Sequence, residues 1–218
     1  MHLAIAASCP ICEVASSSTF FRDLRMRVVR FAALIVASGA LACKPPTVDD
    51  IYAVLPPIGS QVPAFRYPML DGTTVTPESL KGSPAVIALW STTCSASLLA
   101  LKSIAALQAN YAPSGVHVVI LANDRDSAVV ASLFARNGIQ TPAALAAGGL
   151  ADTFTHGQSL LPWRKTFPLP TFLLLDGTGH VVYRQFGIER DSASRLVSLR
   201  ARLDSLVANP IERRLGAL

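Results

Sequence analysis

The stretch Trp90-Ser-Thr-Thr-Cys94-Ser-Ala-Ser97 carries the most chemically suggestive residue of this chain. Before it runs "AVIALW" (85–90), a continuous apolar segment of the kind found in strands buried on both faces. After it runs "SASLLALKSIAALQANYA" (95–112), which reads as a helix. Cys94 therefore falls where a strand hands over to a helix. Free N–H groups and the positive end of the helix dipole favour a thiolate there over a thiol. Three residues on, where a second thiol would complete a dithiol pair, stands Ser97. A hydroxyl can donate a hydrogen bond to a thiolate, but it cannot release a mixed disulfide.

The other cysteines suggest different roles. Cys9 and Cys12 have C-x-x-C spacing, but two thiolates do not make a four-ligand zinc site and no second pair exists. The four histidines are scattered; His117 reads as a strand residue, and His156 and His180 fall in a loop and after a turn. No metal and no cofactor is expected. The formal charge is +5. Without residues 1–42, which hold Arg22, Arg25, Arg27, Arg30, Glu13 and Asp23, it is +3, with no basic cluster interleaved with aromatics. Nucleic-acid binding is disfavoured.

"MRVVRFAALIVASGALACKPP" (26–46) has the layout of an export signal: Arg27 and Arg30, an apolar run from Phe31 to Leu41, then small residues. The run is shorter than the roughly 20 apolar residues that span a bilayer. Cys43 directly follows, and the pattern resembles a bacterial lipoprotein signal with Cys43 as the lipidated residue. Its leucine and alanine are swapped from the usual order, and plain signal cleavage is the alternative. The expectation is an exported lipoprotein, anchored to a membrane and facing the periplasm or the cell exterior. Met26 is the better start, which leaves residues 1–25 outside the working protein. Residues 26–42 are then the signal peptide, 43–57 a proline-rich tether, 58–210 the folded domain and 211–218 a tail.

The domain alternates strand-like and helix-like segments. Asp71-Gly72 between "AFRYPML" and "TTVTP" signals a hairpin. "VHVVILAND" (116–124) reads as a second buried strand, and "RDSAVVASLFARNG" (125–138) as a helix stopped by Gly138. "TFLLLD" (171–176) and "HVVYRQF" (180–186) form an antiparallel pair around Gly177-Thr178-Gly179. "DSASRLVSLRARLDSLVA" (191–208) is a last helix with Leu196, Leu199, Leu203, Leu206 and Val207 inward. In the helix after Cys94 the expected inner side is Leu98, Leu101, Ile104, Ala105 and Leu107 or Tyr111. The order implies an α/β fold with a mostly parallel central sheet covered on both faces, made mixed by its last antiparallel pair.

Trp90, Cys94 at a helix start, "LPTFLLLDGTGHVVYRQFG" some 75 residues on and the final helix together resemble the thioredoxin-like superfamily. "IGSQVPAFRYPMLDGTTVTPESLKGSPAVIALWSTTC" is similar to the opening of its TlpA/redoxin branch. The resemblance covers residues 58–208 and implies a thioredoxin-like fold with an N-terminal β-hairpin extension. It implies a cis-proline at Pro170, with Leu169 exposing backbone to an extended substrate, and Trp90 beside that groove. The branch's C-x-x-C departs here to C-x-x-S. Peroxiredoxins, relatives of the branch, use P-x-x-x-[TS]-x-x-C, on which Ser91 and Cys94 match but Ile87 replaces the proline.

Two classes of function follow. In the first, Cys94 is the catalytic thiol of an oxidoreductase, with Ser97 and Ser91 as thiolate stabilisers and Trp90, Leu169 and Pro170 as the substrate groove. Its partner is a protein or small-molecule thiol or disulfide, or a peroxide, and an external thiol reductant completes the cycle. In the second, the domain binds a partner without catalysis and Cys94 is incidental. Trp163, Arg164 and Lys165, in the long segment 155–170, either border the groove or form a solvated loop.

Overall fold

The computed structural model describes residues 47–155, 167–189 and 195–209. Cys9, Cys12, Cys43, the signal segment, His156, Trp163, Arg164 and Lys165 lie outside the described residues.

Five strands form the central sheet in the order β5-β4-β3-β6-β7. They are β3 (Ala85–Trp90), β4 (His117–Ala122), β5 (Ala143–Leu145), β6 (Thr171–Leu175) and β7 (Val181–Phe186). β3 pairs in parallel with β4 and antiparallel with β6, so it lies in the middle of the sheet. Every residue of β3 is buried, as an uninterrupted apolar run requires when both faces are covered. Alternate residues go to opposite faces. Val86, Ala88 and Trp90 meet α2 (Ser95–Tyr111), α3 (Ser127–Asn137) and α5 (Val197–Ala208) through Leu101, Ile104, Phe134, Leu199 and Leu203. Ala85, Ile87 and Leu89 meet Phe65, Val75, Leu80, Leu150 and Phe154 on the other side. Each large side chain buried this way contributes about 1.5–3 kcal/mol. The mixed sheet flanked by helices is the thioredoxin-like architecture that the sequence implies.

The Asp71-Gly72 hairpin is present, with strands of two residues each: β1 (Tyr67–Pro68) and β2 (Thr74–Val75). Gly72 takes φ +85°, a conformation that L side chains disfavour. Asp71 Oδ1 accepts from the Thr73 amide (2.9 Å) and hydroxyl (2.6 Å).

Four features differ from the sequence expectation. β5 and the short helix α4 (Leu150–Phe154) extend the crossover between α3 and β6. Segment 48–54, within the stretch read as a proline-rich tether, is a helix, α1 (Val48–Val54). Its Thr47 and Asp50 form a reciprocal capping box, which satisfies two N–H groups at once. Ile51 and Leu55 are buried, and Arg184 of β7 donates from Nη1 to the carbonyls of Tyr52, Leu55 and Pro56 (2.8, 3.1 and 3.1 Å). Its guanidinium also lies over the Tyr52 ring, 5.3 Å from the centroid. Leu98, expected inward, is exposed at 42% because the buried side of α2 runs through Ser97, Ala100, Leu101, Ile104 and Leu107. The last helix begins at Val197, with Leu196 as its cap.

α2 and α5 are tied at their far ends, where the Tyr111 hydroxyl donates to Asp204. Burial, then the bond to Asp204, pushes the Tyr111 hydroxyl up to about 12, so it stays a donor throughout the ordinary pH range. No helix of the described residues is long and apolar enough to cross a membrane.

Candidate active site

Cys94 is the N-cap of α2, with extended backbone (φ −102°, ψ 117°). Its carbonyl accepts the first helical hydrogen bond, from the Leu98 amide at 3.0 Å. The side chain makes no cap hydrogen bond, and the first turn of the helix holds no acidic residue. Cys94 is partly exposed, and it is the free cysteine of the described residues. From the cap position Sγ donates to the carbonyl oxygen of Leu169 at 3.5 Å, across 75 residues of sequence. The Leu169–Pro170 bond is cis, as the resemblance implies. Leu169 is partly exposed, and Pro170 is buried.

The turn carrying the thiol is held from several directions. Cys94 N donates to Ser91 O (3.3 Å), and Thr93 N to Ser91 Oγ (3.2 Å). Thr92 N donates to both carboxylate oxygens of Asp124 (3.2 and 3.0 Å), and the Thr92 hydroxyl donates to Asp124 Oδ1. Asn123 N donates to Trp90 O at 2.8 Å, so the segment after β4 is stitched to the end of β3. Beyond the cysteine, Trp90 Nε1 donates to Ser97 O at 2.6 Å.

Three expected roles are corrected by this geometry. Trp90 does not line a groove: it is fully buried, edge-on to Phe134, because it is the last residue of a strand covered on both faces. Its contribution is to pin the first turn of α2. Ser97 does not stabilise the sulfur: its side chain lies in the core at 0% exposure and its hydroxyl has no hydrogen-bond partner. Position 97 shares the helix face of Leu101 and Ile104, four and seven residues on, and that face packs on the sheet. Ser91 Oγ bonds Thr93 Oγ1 (2.9 Å) and Thr93 N, which keeps it within the turn and off Sγ. Asp124, absent from the sequence reading of the site, is the carboxylate that holds the turn. Leu98 and Leu99 add two exposed apolar side chains just past the cysteine. Among the described residues no group of histidines, cysteines and acids is placed to hold a metal ion.

A family model described as Redoxin matches residues 57–198. Several solved structures share the fold. The chain is similar to a thiol:disulfide interchange protein of the thioredoxin family from Chlorobium tepidum (18% identity, 70% of this chain and 99% of that one, TM-score 0.55). It is also similar to the thioredoxin domain of a thiol-disulfide oxidoreductase from Bacteroides vulgatus (14%, 67% and 98%, TM-score 0.54). A third is a secreted Mycobacterium tuberculosis disulfide oxidoreductase (20%, 65% and 96%, TM-score 0.50). No curated protein matches the chain in sequence.

Proposed function

The chain belongs to the redoxin family, and from that premise we propose that it is a thiol oxidoreductase working through one cysteine, Cys94, by thiol–disulfide exchange. The observation that carries the reading is the partly exposed Cys94 at the uncapped start of a 17-residue helix, its Sγ 3.5 Å from the carbonyl of Leu169. The thiolate attacks one sulfur of a client disulfide, that S–S bond breaks, and the electron pair leaves on the other client sulfur, which takes a proton from water. Ser97 cannot attack the resulting mixed disulfide. An external thiolate does so at the client sulfur: the Cys94–client S–S bond breaks, the electron pair returns to Cys94, and the external thiol leaves joined to the client by a new disulfide. The client segment lies along Leu169, and the exposed Leu98 and Leu99, four and five residues past Cys94, offer apolar surface.

Exchange is favoured over peroxide reduction because Ser91, the residue a peroxidatic site would turn toward the sulfur, is bonded to Thr93 instead. In export, lipid attachment at Cys43 would hold the domain at a membrane surface, and Cys43→Ser would release it into the soluble fraction; unchanged membrane retention would count against the anchor. Mass spectrometry separates the chemistries. Mixed disulfides on Cys94 after treatment with a client-like disulfide support exchange. Sulfenic acid on Cys94 after peroxide, without mixed disulfides, supports the peroxidase. Neither product would leave a partner-binding module.

A further inference from the structure

The parallel register sets Trp90 beside Ala122, so β3 and β4 end together and the chains beyond them emerge side by side. Two residues past those ends stand Thr92 and Asp124. Of the four amides between Trp90 and the start of α2, those of Thr93 and Cys94 bond within the turn, to Ser91. The amide of Thr92 is bonded outside it, to both oxygens of Asp124, and the Thr92 hydroxyl reinforces the same contact. The turn is closed on itself, and Asp124 fastens it to the sheet. Trp90 fastens the other side, through Ser97 O. Cys94 sits between these two anchors, with Sγ directed to Leu169 O. Hydrogen bonds to a carboxylate are stronger than those between neutral groups, so this anchor is stiff for its size.

We infer that Asp124 is a positioning residue for Cys94. Acting through Thr92, it holds Sγ against Leu169 and so sets how fast Cys94 exchanges with a disulfide on an extended peptide. The inference rests on the exchange reaction proposed above. It separates two reactions of one sulfur. Exchange with a docked peptide disulfide needs Sγ in line with the peptide S–S bond beside Leu169. Alkylation by a small reagent needs only an accessible thiol. Freeing the turn should slow the first and spare the second, since a small misplacement of a reacting atom costs rate steeply. A role confined to stability would lower the melting temperature and leave the ratio of the two rates alone.

The test uses the full chain with Cys9, Cys12 and Cys43 replaced by serine, so that Cys94 is the reporting thiol. Its rate constants are measured with a short extended peptide bearing a mixed disulfide and with iodoacetamide. Asp124→Ala should lower the peptide-to-iodoacetamide ratio roughly tenfold. Thr92→Val, which exchanges a hydroxyl for a methyl at constant shape, should move it the same way by less. Thr92→Ser should keep the parent ratio, and the double variant Asp124→Ala/Thr92→Val should fall no further than Asp124→Ala. If Asp124→Ala fails to fold by circular dichroism, the Thr92→Val and Thr92→Ser pair decides. A parent ratio in both Asp124→Ala and Thr92→Val, or in Thr92→Val alone where the first does not fold, overturns the inference while leaving exchange intact. A parent protein that alkylates but never exchanges with the peptide overturns the exchange reading, and this inference with it.

Discussion

The helix that begins at Cys94 can be set against the other described helices, and the contrast lies in what meets their first N–H groups. At α1 the Thr47 hydroxyl accepts from the Asp50 amide, while Asp50 reaches back to Thr47 N at 2.7 Å. At α3 the Asp126 carboxylate accepts from the Ala128 amide at 2.8 Å. At α4 an Asn123 side-chain oxygen receives the Leu150 amide at 3.4 Å. At α5 Glu189 bonds the amides of Val197 and Ser198 from outside the helix. α2 has a sulfur at its cap, no side-chain cap bond and no acid in its first turn. Oxygen caps commonly contribute about 1 kcal/mol. Leaving them out at the longest of the described helices keeps its positive end free for an anion, which is what a thiolate or a leaving sulfur is. The carboxylate that holds the preceding turn, Asp124, is occupied with Thr92 instead.

That contrast can be broken or sharpened by substitution. The largest effect is expected from Cys94→Ser, which should abolish disulfide exchange altogether; residual exchange at the parent rate, measured by mass spectrometry, would move the chemistry elsewhere. Next comes Ser97→Cys, which restores the dithiol spacing. An intramolecular thiol should shorten the life of the mixed disulfide about 100-fold or more, since effective concentrations of neighbouring groups are large. An unchanged lifetime in a stopped time course would show that position 97 cannot reach the bond.

Trp90→Phe removes the indole N–H from Ser97 O at the buried start of α2. Losing one buried hydrogen bond costs about 0.5–1.5 kcal/mol, read as a lower urea midpoint, with slower exchange because the first turn loosens. A midpoint equal to the parent would remove Trp90 from the anchoring of that turn. The smallest effect belongs to the capped helices. Partial burial of Glu189 pushes its carboxyl up, but hydrogen bonds from Ser198 and Val197 outweigh this and hold it below its usual range. Its folded value is depressed, so its contribution is complete above the unfolded value near 4.5 and fades as pH falls through the lower folded value. Glu189→Gln should therefore lower the melting temperature slightly at pH 7 and lose that difference near pH 3. An equal difference at both pH values would contradict the capping role.

Much of the fold is legible in the sequence because its signals are strong. β3, β4 and β6 are unbroken apolar runs, α3 ends at Gly138 in left-handed conformation, and the hairpin turn is Asp71-Gly72. β5 and α4 were harder to see: "PAALAAGGLADTF" is rich in alanine and glycine, which give little contrast between faces. α1 is masked in the sequence by flanking prolines, although Thr47-x-x-Asp50 is a readable cap. At the site, Cys94 and Pro170 stand where the resemblance puts them, but the side-chain contacts around the sulfur do not follow from spacing. Ser97 is near Cys94 in sequence, yet helical geometry turns it to the face of Leu101 and Ile104. Asp124 is 32 residues from Thr92 and meets it because two parallel strands end in register.

The central claim, that Cys94 performs exchange and depends on an outside thiol to finish it, is tested most directly by the fate of its mixed disulfide. The full chain with Cys9, Cys12 and Cys43 replaced by serine is treated with glutathione disulfide, freed of excess reagent and followed by intact-mass spectrometry. The account predicts one glutathione adduct on Cys94 that persists until a free thiol is added and is then released. No adduct on Cys94, or an adduct that disappears without added thiol, would contradict it.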